Sequence, residues 1–139
     1  FNIGCLIGYA AIENQLNFQI IILYLSGIFW TLDYDTIYAH QDREDDLNIG
    51  IKSTAILFGS NTKQWIIIFY SLMVLCLILF GLLHDQNIYY FILLIFVSTH
   101  LSYQIKRLDI ENKDNCLSIF KSNQYLGLMV ALTLFIGIL

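Results

Sequence analysis

The chain contains no proline, only three cysteines and little charge: 13% of its 139 residues are Asp, Glu, Lys or Arg. A water-soluble domain is normally about one quarter charged. With 58% hydrophobic residues and a positive mean hydropathy, an ordinary soluble fold is excluded. The net charge of −4 is local acid, and the seven Lys and Arg form no basic patch. A nucleic-acid partner is therefore excluded too. Cys5, Cys76 and Cys116 stand alone, without ligand spacing or repeat, and read as apolar fillers rather than disulfide or metal positions. No basic segment precedes the first apolar stretch, so no stretch of this sequence is expected to act as a cleavable signal peptide. The chain opens at Phe1, not Met, inside an apolar segment, and the expectation is a fragment or one half of a split polypeptide. The absence of proline beside abundant Ile and Asn points to an AT-rich genome. That leans toward a bacterial inner membrane, with the mitochondrial inner membrane as the alternative.

What the chain has instead is long apolar runs. A bilayer span needs about 20 such residues, and the pattern predicts spans at 17–40, 64–83, 88–103 and 122–139. Residues 1–12 are too short and read as the tail of a helix. Polar turns are expected at Glu13-Asn-Gln and at His84-Asp-Gln-Asn87. A short interfacial helix is expected over Lys52–Gly59, stopped by Gly59, with Ser60 or Asn61 capping the next span. The fold class is thus all-α, a multispanning helical bundle in the lipid bilayer. Arg43, Lys52 and Lys63 fall in the loop at 41–63. Lys106, Arg107, Lys113 and Lys121 fall in the loop at 104–121. These are all seven basic residues, and the opposite turns carry none. The positive-inside rule then places both loops on the cytoplasmic side, or the matrix side in an organelle.

The acid is concentrated. Of eleven Asp and Glu residues, six lie between Asp33 and Asp46. On a continuous helix Asp35, Tyr38, Asp42 and Asp46 would share an arc of about 80°. They would also sit at a helix C-terminus, where acid is disfavoured by ~0.3–1 kcal/mol per charge. Such a cluster requires a counter-ion, and Mg²⁺ takes one or two carboxylates plus phosphate oxygens. A prenyl diphosphate suits both parts of the setting, with a tail soluble in lipid and a head that needs cations at the interface. Lys52, and secondarily Arg43, would contact the phosphates. Aromatic faces would stabilise an allylic cation.

The sequence Tyr34-Asp35-Thr-Ile-Tyr38-Ala-His-Gln-Asp42-Arg-Glu-Asp-Asp46, continued by Ile49-Gly-Ile-Lys-Ser-Thr-Ala-Ile-Leu-Phe-Gly59, resembles the second aspartate-rich motif of the UbiA family of intramembrane aromatic prenyltransferases. Asp35, Tyr38, Asp42 and Asp46 match the pattern Asp-x-x-Tyr-x-x-x-Asp-x-x-x-Asp position by position. Residues 115–128 resemble the start of the family's last helix. The resemblance is greatest to members that prenylate 4-hydroxybenzoate in ubiquinone synthesis. It implies a polyprenyl diphosphate donor, 4-hydroxybenzoate as acceptor, Mg²⁺ as cofactor, and Asp35, Tyr38, Asp42 and Asp46 as catalytic or metal-holding residues. No first aspartate motif occurs in this chain. The resemblance therefore implies the C-terminal half of the fold, helices six to nine with the tail of helix five, inactive without its N-terminal half.

Other features have plainer readings. Asp33 lies opposite Asp35 and reads as a solvated or interfacial carboxylate; Glu44 is out of phase, and Asp45 lies between the two cases. Tyr24, Phe29, Trp30 and Tyr34 read as lipid-facing or belt residues, with lining of a prenyl tunnel as the alternative. His40 reads as a loop or interface residue and His84 as structural. His100 is expected to be satisfied by Ser98, Thr99 and Ser102. Asn123 either helps hold the acceptor or packs helices. The rival functions are prenylation of a naphthoate, a homogentisate or a porphyrin, a non-catalytic remnant, and a cation transporter.

Overall fold

The computed structural model describes residues 2–139. It contains helices α1 (Ile3–Glu13), α2 (Phe18–Ala39), α3 (Arg43–Ile49) and α4 (Thr54–Phe58). A 3₁₀ turn at Gly59–Asn61 leads into α5 (Thr62–Leu83), followed by α6 (Ile88–Arg107) and α7 (Lys113–Gly137). Four helices are long and apolar enough to cross a membrane: α2, α4–α5 taken together, α6 and α7. The chain is an all-α integral membrane bundle.

Local chemistry sets the starts of three spans. The Asn17 side chain accepts from Ile20 N (3.0 Å), Asn87 from Tyr90 N (3.2 Å) and Asn112 from Asn115 N (3.0 Å). Each satisfies a backbone N–H that the first helical turn leaves free. No side chain caps α5 at Asn61, which follows the 3₁₀ turn. The His84–Asn87 turn forms as expected, with Asp85 at φ 51° and Gln86 N bonded to Gly81 O at 2.9 Å. Gly59 ends α4 at φ 49°.

Two boundaries differ from the sequence expectation. Helix α6 runs on to Arg107, and α7 begins at Lys113 rather than near residue 122. The charged residues between belong to helix ends that reach past the apolar region. Asn112 provides the cap and Asp114 an acid in the first turn of α7, while Lys106 and Arg107 close α6, as the helix dipole favours.

The four spans form a square in chain order. α2 packs on α5, α5 on α6, α6 on α7, and α7 back on α2. Tyr70, Met73 and Leu77 of α5 meet Tyr90, Leu94, Val97 and Leu101 of α6 and Cys116, Ile119 and Leu126 of α7 in one buried cluster. The outer faces remain apolar: Ile67, Leu75, Ile95, Phe96, Leu128 and Phe135 are exposed. A helix that is hydrophobic all round belongs in lipid, where association rests on close packing and on polar bridges between helices. Such packing is visible at Gly81, where an added Cβ would fall 2.5 Å from the Tyr90 ring. The Tyr90 hydroxyl donates to Leu77 O at 2.8 Å.

Candidate active site

The acidic motif does not continue α2. The helix ends at Ala39, with His40 N bonded to Ile37 O and Gln41 N to Tyr38 O. Asp42 then precedes a separate short helix, α3. The cause is the side chain between them. His40 is buried, 3% exposed, and its Nε2 lies 3.1 Å from Thr62 Oγ1 at the start of α5. The one hydroxyl proton of Thr62 goes to Gly59 O (2.7 Å), so His40 Nε2–H is the donor. Burial, followed by the nearby Arg43 charge, pushes His40 below the usual imidazole range, which favours the neutral ring. An expected loop residue is thus the pin that holds the end of α2 on α5.

The break rearranges the carboxylates. Asp35 and Tyr38 are exposed one turn apart near the end of α2. Asp42, at the N-terminal boundary of α3, lies one turn from Asp46, with Asp46 N bonded to Asp42 O at 2.8 Å. Glu44, Asp45 and Asp46 occupy the first turn of α3. For Asp42 to Asp46 this overturns the expectation that the cluster sits at a helix C-terminus, since the dipole at the start of α3 favours acid. Asp33 and Asp35 do lie near the end of α2. Gly50 closes α3 at φ 74°, and Lys52 beyond it is exposed.

Helix α3 is clasped by the loop between α6 and α7 and the first residue of α7. Lys113 Nζ donates to Glu44 Oε2 at 2.8 Å, and Arg43 lies 3.7 Å from Glu111. The Lys113 ammonium holds the Glu44 carboxyl below its ordinary range. Arg43, expected to contact phosphate, is thus paired with Glu111.

Below the carboxylates runs an aromatic wall. Tyr38 and Tyr34 of α2 both pack on Phe120 of α7, with ring centroids 4.8 and 6.0 Å apart, and Trp30 meets Tyr34 edge-on at 6.1 Å. Trp30, Tyr34, Phe120, Lys121, Asn123 and Gln124 line a groove of about 320 Å³. Trp30 and Tyr34 thus line this groove, and Phe29 packs against the core. Phe120 was missed because nothing at position 120 marks it apart from any other apolar residue. Asn123 receives the Trp30 Nε1–H at 2.9 Å and joins helices.

Two further expectations are corrected. Asp33 is neither solvated nor interfacial but wholly buried. His100 is not satisfied by its neighbours: Ser98, Thr99 and Ser102 bond to Leu94, Phe96 and Ser98 carbonyls, and His100 Nε2 has no partner.

Among the described residues no three His, Cys, Asp or Glu side chains converge on one metal position. The donors nevertheless suit a hard cation. Asp35, Asp42 and Asp46 are carboxylates outside both ion pairs, and Mg²⁺ commonly takes one or two carboxylates and fills its remaining positions with phosphate and water.

The fold and this acidic hairpin define an intramembrane helical protein of one lineage: the chain belongs to the UbiA prenyltransferase family, whose pattern it matches over residues 1–136. It is 46% identical over 138 residues to "4-hydroxybenzoate polyprenyltransferase, mitochondrial" of Homo sapiens, an alignment covering 99% of this chain and 37% of that protein. Proteins of the same name from Drosophila melanogaster and Dictyostelium discoideum are 44% and 39% identical, covering 100% and 99% of this chain and 36% and 30% of theirs. The chain thus spans about a third of the length of the relatives it matches. No solved structure matches it.

Proposed function

We propose that this chain works within a complete enzyme that transfers a polyprenyl group from its diphosphate to 4-hydroxybenzoate. The observation that carries the reading is the pairing of free carboxylates on Asp35, Asp42 and Asp46 with an aromatic wall that descends from Tyr38 toward lipid. The relatives' name supports the acceptor. In this reading Asp35, Asp42 and Asp46 would hold Mg²⁺ only together with carboxylates from an N-terminal half that carries the first aspartate motif. Bound Mg²⁺ supplies positive charge that neutralises the diphosphate as it leaves.

The chain's own groups do the rest. Lys52 meets the phosphates as a point charge; Arg43 reaches them only by leaving Glu111. Tyr38, Tyr34 and Phe120 face the allylic carbon, stabilising positive charge and keeping out water that would quench it. The bond from the allylic carbon to oxygen breaks and a bond to the ring carbon ortho to the hydroxyl forms. Diphosphate departs, and the ring loses one proton. By the distribution of Lys and Arg, the hairpin faces the cytoplasm or the matrix. The names of the relatives favour the mitochondrial inner membrane, and the residue usage favours the bacterial one.

The test is turnover of the complete enzyme in lipid with a panel of aromatic acceptors. Asp42→Ala and Asp46→Ala should each lower turnover of 4-hydroxybenzoate by orders of magnitude while membrane insertion is preserved. Near-normal rates in both variants, or preference for another acceptor, would overturn the reading.

A further inference from the structure

Beyond Tyr125, helix α7 is apolar on every side: Leu126 and Val130 are buried, while Leu128, Leu132 and Phe135 are exposed. In lipid, hydrophobicity prefers no face of such a helix, so its rotation about its own axis is set by close packing and polar bridges. Two adjacent residues supply the bridges. Asn123 accepts the Trp30 Nε1–H of α2 at 2.9 Å, and Ser122 meets Gln104 of α6.

Gln104 is 1% exposed, close to the end of α6. The Ser122 hydroxyl has one proton, which goes to Ile119 O at 2.7 Å. Its oxygen therefore accepts from Gln104 Nε2 at 2.7 Å, and Gln104 Oε1 is left to accept the Tyr70 hydroxyl of α5 at 2.5 Å, as the donor and acceptor count requires. Both ends of one buried amide are used, each on a different neighbouring span. Continued through Asn123 to Trp30, the series Tyr70–Gln104–Ser122 makes a polar belt that touches all four spans.

Phe120 stands on the same turn of α7. It precedes Asn123 by three residues and so shares the side that faces α2. Its ring centroid lies 4.8 Å from that of Tyr38 and 6.0 Å from that of Tyr34. Successive helical residues differ by about 100° in direction, so bridges at Ser122 and Asn123 hold α7 from two sides. Released at Ser122, the helix keeps one bridge and can swing about it.

We propose that Gln104 is a positioning residue: through Ser122 it fixes the rotation of α7 and keeps Phe120 closed on Tyr34 and Tyr38. The role in the reaction rests on the function proposed above; the hold on α7 does not. An open aromatic wall admits water to the allylic carbon. The bond from that carbon to diphosphate oxygen then breaks while a bond to the water oxygen forms. A prenyl alcohol, diphosphate and one proton are released, and the aromatic ring is left unprenylated.

The experiment uses the complete protein in lipid vesicles and has two arms. In the first, cysteines replace Tyr38 and Phe120 in a background without native cysteines, and a short bifunctional thiol reagent joins them. Gln104→Met, which keeps the length of the side chain but neither hydrogen bond, should slow this cross-link several-fold. A cross-link as fast as in the parent would show that the belt does not set the rotation of α7, and the proposal is wrong. The second arm, with all native residues otherwise in place, measures the share of prenyl alcohol among the products. Gln104→Met and Ser122→Ala should raise it roughly ten-fold or more, as misplacement of reacting groups does. Ser122→Thr keeps the acceptor and should keep the wild-type share. Leu94→Ala, a cavity in α6 outside the belt, should lower the amount of active protein without changing the share. An unchanged share in Gln104→Met, or an equal rise in Leu94→Ala, would overturn the positioning role. Should Gln104→Met fail to fold, the Ser122 pair decides both arms. A complete enzyme inactive on 4-hydroxybenzoate, with the cross-link slowed as expected, would count against the function and leave the hold on α7 standing.

Discussion

The Trp30 indole donates to Asn123 Oδ1 at 2.9 Å, and four residues along α7 the same ring lies 3.0 Å from the place where a Cβ on Gly127 would stand. One residue supplies the bridge and the other the clearance, so α2 and α7 approach closely where the aromatic wall begins.

Replacing Asn123 with Leu should therefore destabilise the bundle by about 0.6–1.7 kcal/mol, the range for interhelical hydrogen bonds in lipid. Gly127→Val should destabilise it further, because its side chain must displace the indole. Unfolding in mixed detergent micelles, followed by Trp fluorescence, measures both.

His40 gives a pH dependence. Its folded-state value lies below the ordinary 6.5, chiefly because it is buried. The neutral ring therefore contributes stability that is fully present above about pH 6.5 and is lost as pH falls through the depressed folded value. Hydrogen exchange at the α2–α5 junction should accelerate on acidification from pH 7. His40→Gln, which keeps a donor for Thr62 without titrating in this range, should flatten that dependence.

The clasp on α3 should depend on ionic strength. Lys113→Gln, or high salt, should speed amide exchange over residues 43–49, because exposed ion pairs are screened. The double exchange of Glu44→Lys with Lys113→Glu should restore slow exchange. Unchanged exchange in the single variant would mean that the loop does not hold α3.

Topology is checked by labelling. Cysteines placed at Lys52 and Glu111 should react with an impermeant maleimide from one side of the membrane, and a cysteine at Asp85 from the other. Reaction of all three from one side would contradict the four-span arrangement.

Much of this was legible in the residues, and the gaps have physical causes. The spans follow from apolar length and the Gly59 stop from local chemistry, whereas the cap expected at Ser60 or Asn61 does not form and the side-chain caps fall at Asn17, Asn87 and Asn112 instead. The early start of α7 was hidden because residues 113–121 are charged, yet Asn112 followed by an acid at Asp114 is an ordinary helix-start signal. The break at His40–Gln41 was hidden for the opposite reason. Acids spaced by seven and four mimic one continuous helical face, although Asp42 before Glu44-Asp45-Asp46 also fits a new helix N-terminus. Asp33 could not have been placed by pattern. Its phase says only that it faces away from Asp35, and whether that direction holds water or Tyr70 is decided by the neighbouring helix. The clasp joins residues nearly seventy apart in the chain, and no local rule predicts its pairing.

The most direct test of the account is calorimetric titration of the complete protein in lipid with a non-hydrolysable prenyl diphosphate analogue, with and without Mg²⁺. The account predicts tight binding that requires Mg²⁺ and is lost in Asp42→Ala, with the α-helical content unchanged. Binding of equal strength in the variant, or without the metal, would contradict it.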